Sequence, residues 1–332
     1  MAASGAGTSK MVEKLEKTVE AGQYYEAQQM YKSVQARYLG QKKVKEALDL
    51  LEAGACTQLK HGQVTCGAEL ALLLVEALSK FEIPFGEEPL GRIRRMYELF
   101  PTSEAPKEES GEGSFQDAEE EPNTDGPTTT GRGQGCRDFL RAAIKWSEKC
   151  GGPAQGAPEL HVMLADYVWA SAGDLATASR HYLRADKPAR FAEVLGEAMQ
   201  QGYPSEADLV IARAVLQYLS LGNLKDANIV FEETKKRADT AVETILEASP
   251  LMHFIDFLLQ TLERDALPLF NLLRHKYKPS LERDPSFQTY IGEIAFKFLV
   301  KWTGLRECAF GETKGRTASQ VRRQCLFLED EG

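Results

Sequence analysis

Apolar residues recur at every third or fourth position along most of this chain. Val12, Leu15 and Val19 show the spacing, as do Leu48, Leu51, Ala55 and Leu59, and again Leu209, Ala212, Val215, Leu216 and Leu219. That period lines one face of an α-helix, whereas the strict alternation of a half-buried strand is almost absent. Gly22, Gly40, Gly62, Gly86, Gly173, Gly202, Gly222, Pro250 and Pro279 fall between the periodic stretches. The pattern predicts about a dozen helices of roughly 10–18 residues joined by short turns.

A second pattern lies on top of the first. Gly-x4-Ala-x3-large occurs as Gly22, Ala27, Tyr31; as Gly173, Ala178, Tyr182; as Gly202, Ala207, Ile211; and as Gly222, Ala227, Phe231. A glycine can end one helix in the left-handed conformation. An alanine where the next helix crosses its partner permits close approach, and a large residue one turn on fills the groove. This is how the second helix of a tetratricopeptide-type hairpin begins. The copies are unevenly spaced, so the predicted fold is all-α, an irregular right-handed α-α solenoid of such hairpins.

Two segments break the periodicity. Residues 101–135 hold nine acids and two bases, so seven of the chain's nine net negative charges lie there. With almost no apolar residues the segment cannot offset its ordering entropy, and an acidic disordered loop is expected. The tail 301–332 has no sustained period and is expected to be irregular. The implied organisation is a helical block at 8–100, the loop at 101–135, a second helical block at 136–300 and the tail. The rest of the chain is then nearly neutral, which argues against a nucleic-acid partner.

MAASGAGTSK has no apolar core of the kind a signal peptide needs. The most apolar run, Leu70–Leu78, is broken by Glu76 and is far short of the ~20 residues of a membrane span. Six scattered cysteines read as reduced thiols. A cytosolic protein with no direct membrane insertion is expected.

Catalytic signatures are missing. Cys56, His61 and Cys66 lack a fourth ligand and straddle the helix-breaking Gly62, so no metal site is expected. Gly131, Gly133 and Gly135 follow no strand and so make no phosphate loop. Trp146 and Trp169 lie on apolar helix faces and are expected in the core. With no cofactor and no acid–base cluster, the chain reads as a non-enzymatic solenoid that presents surfaces to protein partners.

Two surfaces stand out. On the helix that carries Ala27 and Tyr31, the residues Tyr24, Val34 and Tyr38 share the packing stripe, while Tyr25, Gln28, Lys32 and Gln35 fall elsewhere. Tyr25 is either an exposed aromatic anchor or packed on the preceding helix. Arg37, Lys42, Lys43 and Lys45 form either a solvated face or a patch for an acidic partner. SPLMHFIDFLLQTL, Ser249–Leu262, is apolar around most of its circumference, as in a helix shared between the core and a partner.

KLEKTVEAGQYYEAQQMYKSVQARYLGQKK, EAGACTQLKHGQ, AELALLLVEAL, PELHVMLADYVW, ARAVLQYLSLGN and YKPSLERDPSFQTYIGEIAFKF together resemble the fourth-factor adaptor family of the guided-entry pathway for tail-anchored proteins. The resemblance runs from Lys14 to Phe298, excluding the loop. It implies a non-enzymatic helical solenoid that couples a targeting ATPase to a ubiquitin-like-domain protein and, through that protein, to a tetratricopeptide co-chaperone. Carried onto this chain, the ATPase-facing surface would take in Tyr24, Tyr25, Gln28, Arg37, Lys42 and Lys43. Glu69 stands where the family has an acidic residue that tunes the ATPase. Leu251, Phe254, Phe257 and Leu258 match the apolar helix that clasps the ubiquitin-like partner. The family's late β-hairpin would fall near Asp239–Ser249. The acidic loop and the tail depart from the family pattern. The competing reading is a scaffold subunit of another large assembly, of the proteasome-lid or signalosome kind.

Overall fold

The computed structural model describes residues 14–15, 17–101, 131–237, 240–264 and 266–299, and among these there are helices and no strands. The expected irregular tail and the acidic stretch from 102 to 130 lie outside the described residues. The first unit, Met1–Ala185, holds helical residues 14–15 and 17–20 (α1), Tyr24–Gly40 (α2), Val44–Lys60 (α3), Val64–Lys80 (α4), Glu87–Tyr97 (α5), Gly131–Lys149 (α6), Pro158–Ala172 (α7) and Leu175–Tyr182 (α8). The second, Asp186–Gly332, holds Pro188–Gln201 (α9), Ala207–Ser220 (α10), Leu224–Lys236 (α11), Thr240–Ala248 (α12), Pro250–Glu263 (α13), Leu267–Lys276 (α14), Lys278–Leu281 (α15) and Pro285–Ile294 (α16). Sequential helices pack as hairpins in both units, α3 on α4 and α7 on α8 in the first, α10 on α11 and α13 on α14 in the second, as in an α-solenoid.

The four turns between α1 and α5 share one geometry. Gly22, Lys42, Gly62 and Glu82 all have positive φ, at 77°, 61°, 73° and 50°. The next residue donates back to the carbonyl five positions earlier: Gln23 to Thr18, Lys43 to Tyr38, Gln63 to Gln58 and Ile83 to Leu78. That is the bonding of a left-handed helix C-cap, which satisfies carbonyls the ending helix leaves open. The four turns recur every 20 residues, a period hidden in the sequence because Lys42 and Glu82 occupy positions where glycine is the expected residue. After Lys42 come Ala47 and Leu51, both buried, at the spacing of the other copies.

The recurrent alanines and large residues are buried in every copy: Ala27 with Tyr31, Ala178 with Tyr182, Ala207 with Ile211, Ala227 with Phe231. The Tyr31 ring lies so close over Gly54 of α3 that a Cβ there would meet it at 2.8 Å. Gly173 and Gly222 adopt the left-handed turn, with φ of 61° and 84°. Gly202 does not. Its φ of −94° and ψ of −171° are extended, and Pro204–Glu206 form a short 3₁₀ turn before α10. The proline's fixed φ starts that helix by a different route.

Three further expectations change. Residues 131–135, assigned by composition to the loop, are helical. Their glycines are poor helix formers, but a Cβ on Gly135 would lie 2.6 Å from the Ala68 Cβ, so the close approach of α6 to α4 requires glycine there. Because α6 packs on α4, the acidic segment does not divide the packing, and the compact units part between Ala185 and Asp186. The stretch proposed for a β-hairpin forms α12 instead, with Val242 and Leu246 buried one helical turn apart. Trp146 is fully buried, its indole N–H donating to the Ile83 carbonyl at 3.0 Å. No helix among the described residues is long and apolar enough to cross a membrane.

Candidate functional site

The first candidate surface is built on α2. Ala27, Tyr31, Val34 and Tyr38 turn inward, which fixes the rotation of the helix and leaves Tyr25 69% exposed. Tyr25 therefore does not pack on α1, and it is the most prominent apolar group on this helix. Its neighbour Tyr24 has a different environment. The Tyr24 carbonyl accepts from the Gln58 side chain at 3.0 Å, and its ring lies 5.8 Å from that of His61. Tyr24 thus ties the start of α2 to the end of α3.

Gln28 is not at the surface. It is 2% exposed, and its amide donates to the Glu69 carboxylate of α4 at 2.8 Å. Lys32 reaches the same carboxylate oxygen from one helical turn further along α2. Glu69 remains about half exposed while holding both groups. The carboxylate that the family resemblance singles out is therefore the clasp between α2 and α4.

Arg37 is exposed near the end of α2, its guanidinium 5.8 Å from the Tyr38 ring. Tyr25 and Arg37 are twelve residues apart on one helix, about 18 Å along its axis. Lys42 follows at the apex of the left-handed turn, exposed, and Lys43 is half-buried at the start of α3. The fold thus brings Gln28, Lys32 and Glu69 together and leaves Tyr25, Arg37 and Lys42 exposed on the α2–α3 hairpin, with Tyr25 and Arg37 about 120° apart around the α2 axis.

The second candidate surface is α13. Ser249 caps this helix by accepting from the Leu251 N–H at 3.2 Å, while its hydroxyl donates to Asp208 at 2.7 Å. The buried Asp208 carboxylate also pairs with Arg283. This arrangement sets the rotation of α13. Leu251, Phe254 and Leu258 are fully buried, with the Phe254 ring 5.7 Å from that of Tyr277. Phe257 is 45% exposed. Of the four apolar residues picked out in the sequence, three belong to the core and only Phe257 is presented outward. Leu269 and Leu272 of α14 are also exposed, while Phe270 and Leu273 of that helix turn inward. Sequence reasoning missed these two leucines because the apolar residues of LPLFNLLRHK lie on more than one face, and spacing alone does not say which face the core takes.

Among the described residues of these surfaces, the titratable contacts are structural pairs such as Lys32 with Glu69. The surfaces can offer contact area, an aromatic anchor and fixed charge. Comparison with known proteins agrees with that architecture. The family model "Golgi to ER traffic protein 4" matches residues 41–301. The chain is 47% identical over 289 residues to Protein GET4 of Arabidopsis thaliana, covering 86% of this chain and 89% of that protein. It is 31% identical over 293 residues to the human Golgi to ER traffic protein 4 homolog, covering 88% and 80%. A solved structure, the crystal structure of C. therm. Get4, superposes with a TM-score of 0.72 at 23% identity, over 96% of this chain and 98% of that one. The fold, the family match across most of the described helices and these relatives agree: the chain belongs to the Golgi to ER traffic protein 4 family.

Proposed function

We propose that this protein is a non-catalytic cytosolic adaptor in the delivery of tail-anchored membrane proteins to the endoplasmic reticulum. It binds the targeting ATPase through the exposed residues of the α2–α3 hairpin, with Tyr25, Arg37 and Lys42 as the contacts. Glu69 acts there by holding α2 in place. It binds a ubiquitin-like-domain protein in its second unit around Phe257, and reaches a tetratricopeptide co-chaperone through that protein. The observation that carries the reading is the 69% exposure of Tyr25 on a helix whose Tyr31 and Tyr38 turn inward, in a chain of this family. A large aromatic presented among polar groups is the commonest kind of interface anchor.

The test is a pull-down of the pathway ATPase by the full chain, with and without ATP. Binding in at least one nucleotide state is expected. Tyr25→Ala should weaken it by at least about tenfold, the effect of losing an anchor contact, with helicity unchanged. No binding in any nucleotide state, or binding indifferent to Tyr25→Ala and Arg37→Ala together, overturns the reading.

A further inference from the structure

α6, α7 and α8 border a cleft of about 470 Å³ that none of the residues above line. At its base lies a histidine pair. His161 of α7 is 3% exposed, and its Nδ1 is 2.9 Å from Nδ1 of His181 on α8. His161 Nε2 is 2.7 Å from the Gln155 carbonyl. A carbonyl only accepts, so His161 carries its proton on Nε2 and its Nδ1 is the acceptor. His181 must then donate from Nδ1, which leaves its Nε2 with a bare lone pair. A further proton on the pair can enter only at His181 Nε2, because a proton on His161 Nδ1 would face the one already on His181.

The rim is cationic. Arg141, Lys145 and Arg184 line the cleft, and Glu148 is the one acid among the lining residues. Arg180 adds its charge beside His181. Little offsets these groups. Arg141 is 3.5 Å from Asp138, and Arg184 donates to the Arg180 carbonyl rather than to a carboxylate. On α7 the nearby Asp166 accepts from the Tyr182 hydroxyl. Burial and the surrounding cations push both imidazoles below the ordinary histidine value, His181 to about 4. Outside residues 101–135 the chain is nearly neutral, so a group of cations with few carboxylate partners in a concave site is a local excess of positive charge. Guanidinium groups match phosphate oxygens in pairs, and a cationic rim repels a metal ion.

We infer that this cleft binds a small phosphate-bearing anion, with Arg141, Lys145 and Arg184 on its oxygens and His181 Nε2 taking up a proton as it binds. The site shares no residue with the α2–α3 surface or with α13, so it and the adaptor reading stand or fall separately.

The experiment is calorimetric titration of the full chain with trimetaphosphate, whose charge is constant between about pH 7.5 and about pH 5.5. Parallel titrations with inorganic pyrophosphate and with inositol hexakisphosphate separate an inorganic from an organic source, and tighter binding of either supports the site. Saturable binding is expected, tightening by up to about tenfold per unit fall in pH. Lys145→Glu with Arg184→Glu, both exposed positions, should abolish it while helicity is kept. His181→Gln should retain binding near pH 7.5 and lose the pH dependence. No saturable binding at either pH overturns the inference, as does binding that survives the double charge reversal or a pH dependence that persists in His181→Gln.

Discussion

The buried amide of Gln28 donates to the half-exposed carboxylate of Glu69 across 2.8 Å, joining α2 to α4 over 41 residues of chain. The bond sits directly beneath the face that presents Tyr25. Position 69 therefore bears on the placement of α2 and of the residues it presents.

Glu69→Ala should destabilise the first unit by about 1–3 kcal/mol. It removes the Lys32 ion pair and leaves the Gln28 amide buried without a partner, and the second effect is the larger because Lys32 is solvated. Urea unfolding measures the loss. Hydrogen exchange should show faster exchange in α2 than in wild type, with α3 little changed. A variant as stable as wild type would mean that the clasp contributes nothing.

Lys42 and Gly62 occupy equivalent turns, which permits an opposed pair of substitutions. Gly62→Ala meets no atom within 4 Å, so its cost of about 1–2 kcal/mol is that of the left-handed backbone alone. Lys42→Gly relieves the same strain but adds freedom to the unfolded chain, and a net gain below about 1 kcal/mol is expected. Thermal melts check both signs. Weaker ATPase binding by Lys42→Gly, without loss of stability, would separate a contact role from a folding role.

Gly135→Ala sets helix propensity against packing. In an open helix the change is worth about 1 kcal/mol in favour of alanine. Here the new methyl meets Ala68 at 2.6 Å, and neither methyl can swing aside. Overpacking of about 1–3 kcal/mol should win, giving a lower denaturation midpoint. The double variant with Ala68→Gly should recover the loss.

Acid should weaken the ligand-free protein through the histidine pair. Both imidazoles titrate below the ordinary value of 6.5 in the folded state, His181 at about 4. The unfolded chain therefore binds more protons in that window. The contribution of the pair to stability is complete above about pH 6.5 and is lost progressively as the pH falls toward about 4. Urea midpoints of wild type should drop across that range more steeply than those of His181→Gln. Parallel curves would show that the pair is not held neutral by the fold.

Much of the architecture is legible in the amino-acid order because it is local. The three-to-four-residue apolar period set the helices, and Gly22, Gly173 and Gly222 marked turns that need a left-handed residue. Spacing set Ala27, Tyr31, Val34 and Tyr38 inward but left Tyr25 open between an exposed anchor and a contact with the preceding helix, and only the packing decided for exposure. Gly202 misled because the following proline offers another way to start a helix, and Lys42 and Glu82 concealed the 20-residue turn period because their side chains tolerate a conformation they do not favour.

What the sequence determined by itself was the all-helical fold class, the family resemblance and the buried stripe of α2. What only the tertiary structure decided was which polar residues stay available. Gln28 and Tyr25 lie three residues apart, yet one is buried because a carboxylate from α4 reaches it and the other is open because nothing does. Phe254 and Phe257 part in the same way on α13. His161 and His181, twenty residues apart with no motif between them, become a bonded pair only when α7 folds against α8. Helical periodicity is carried by neighbours along the chain, whereas the burial and protonation of a single side chain depend on atoms that only the packing of distant helices brings near it.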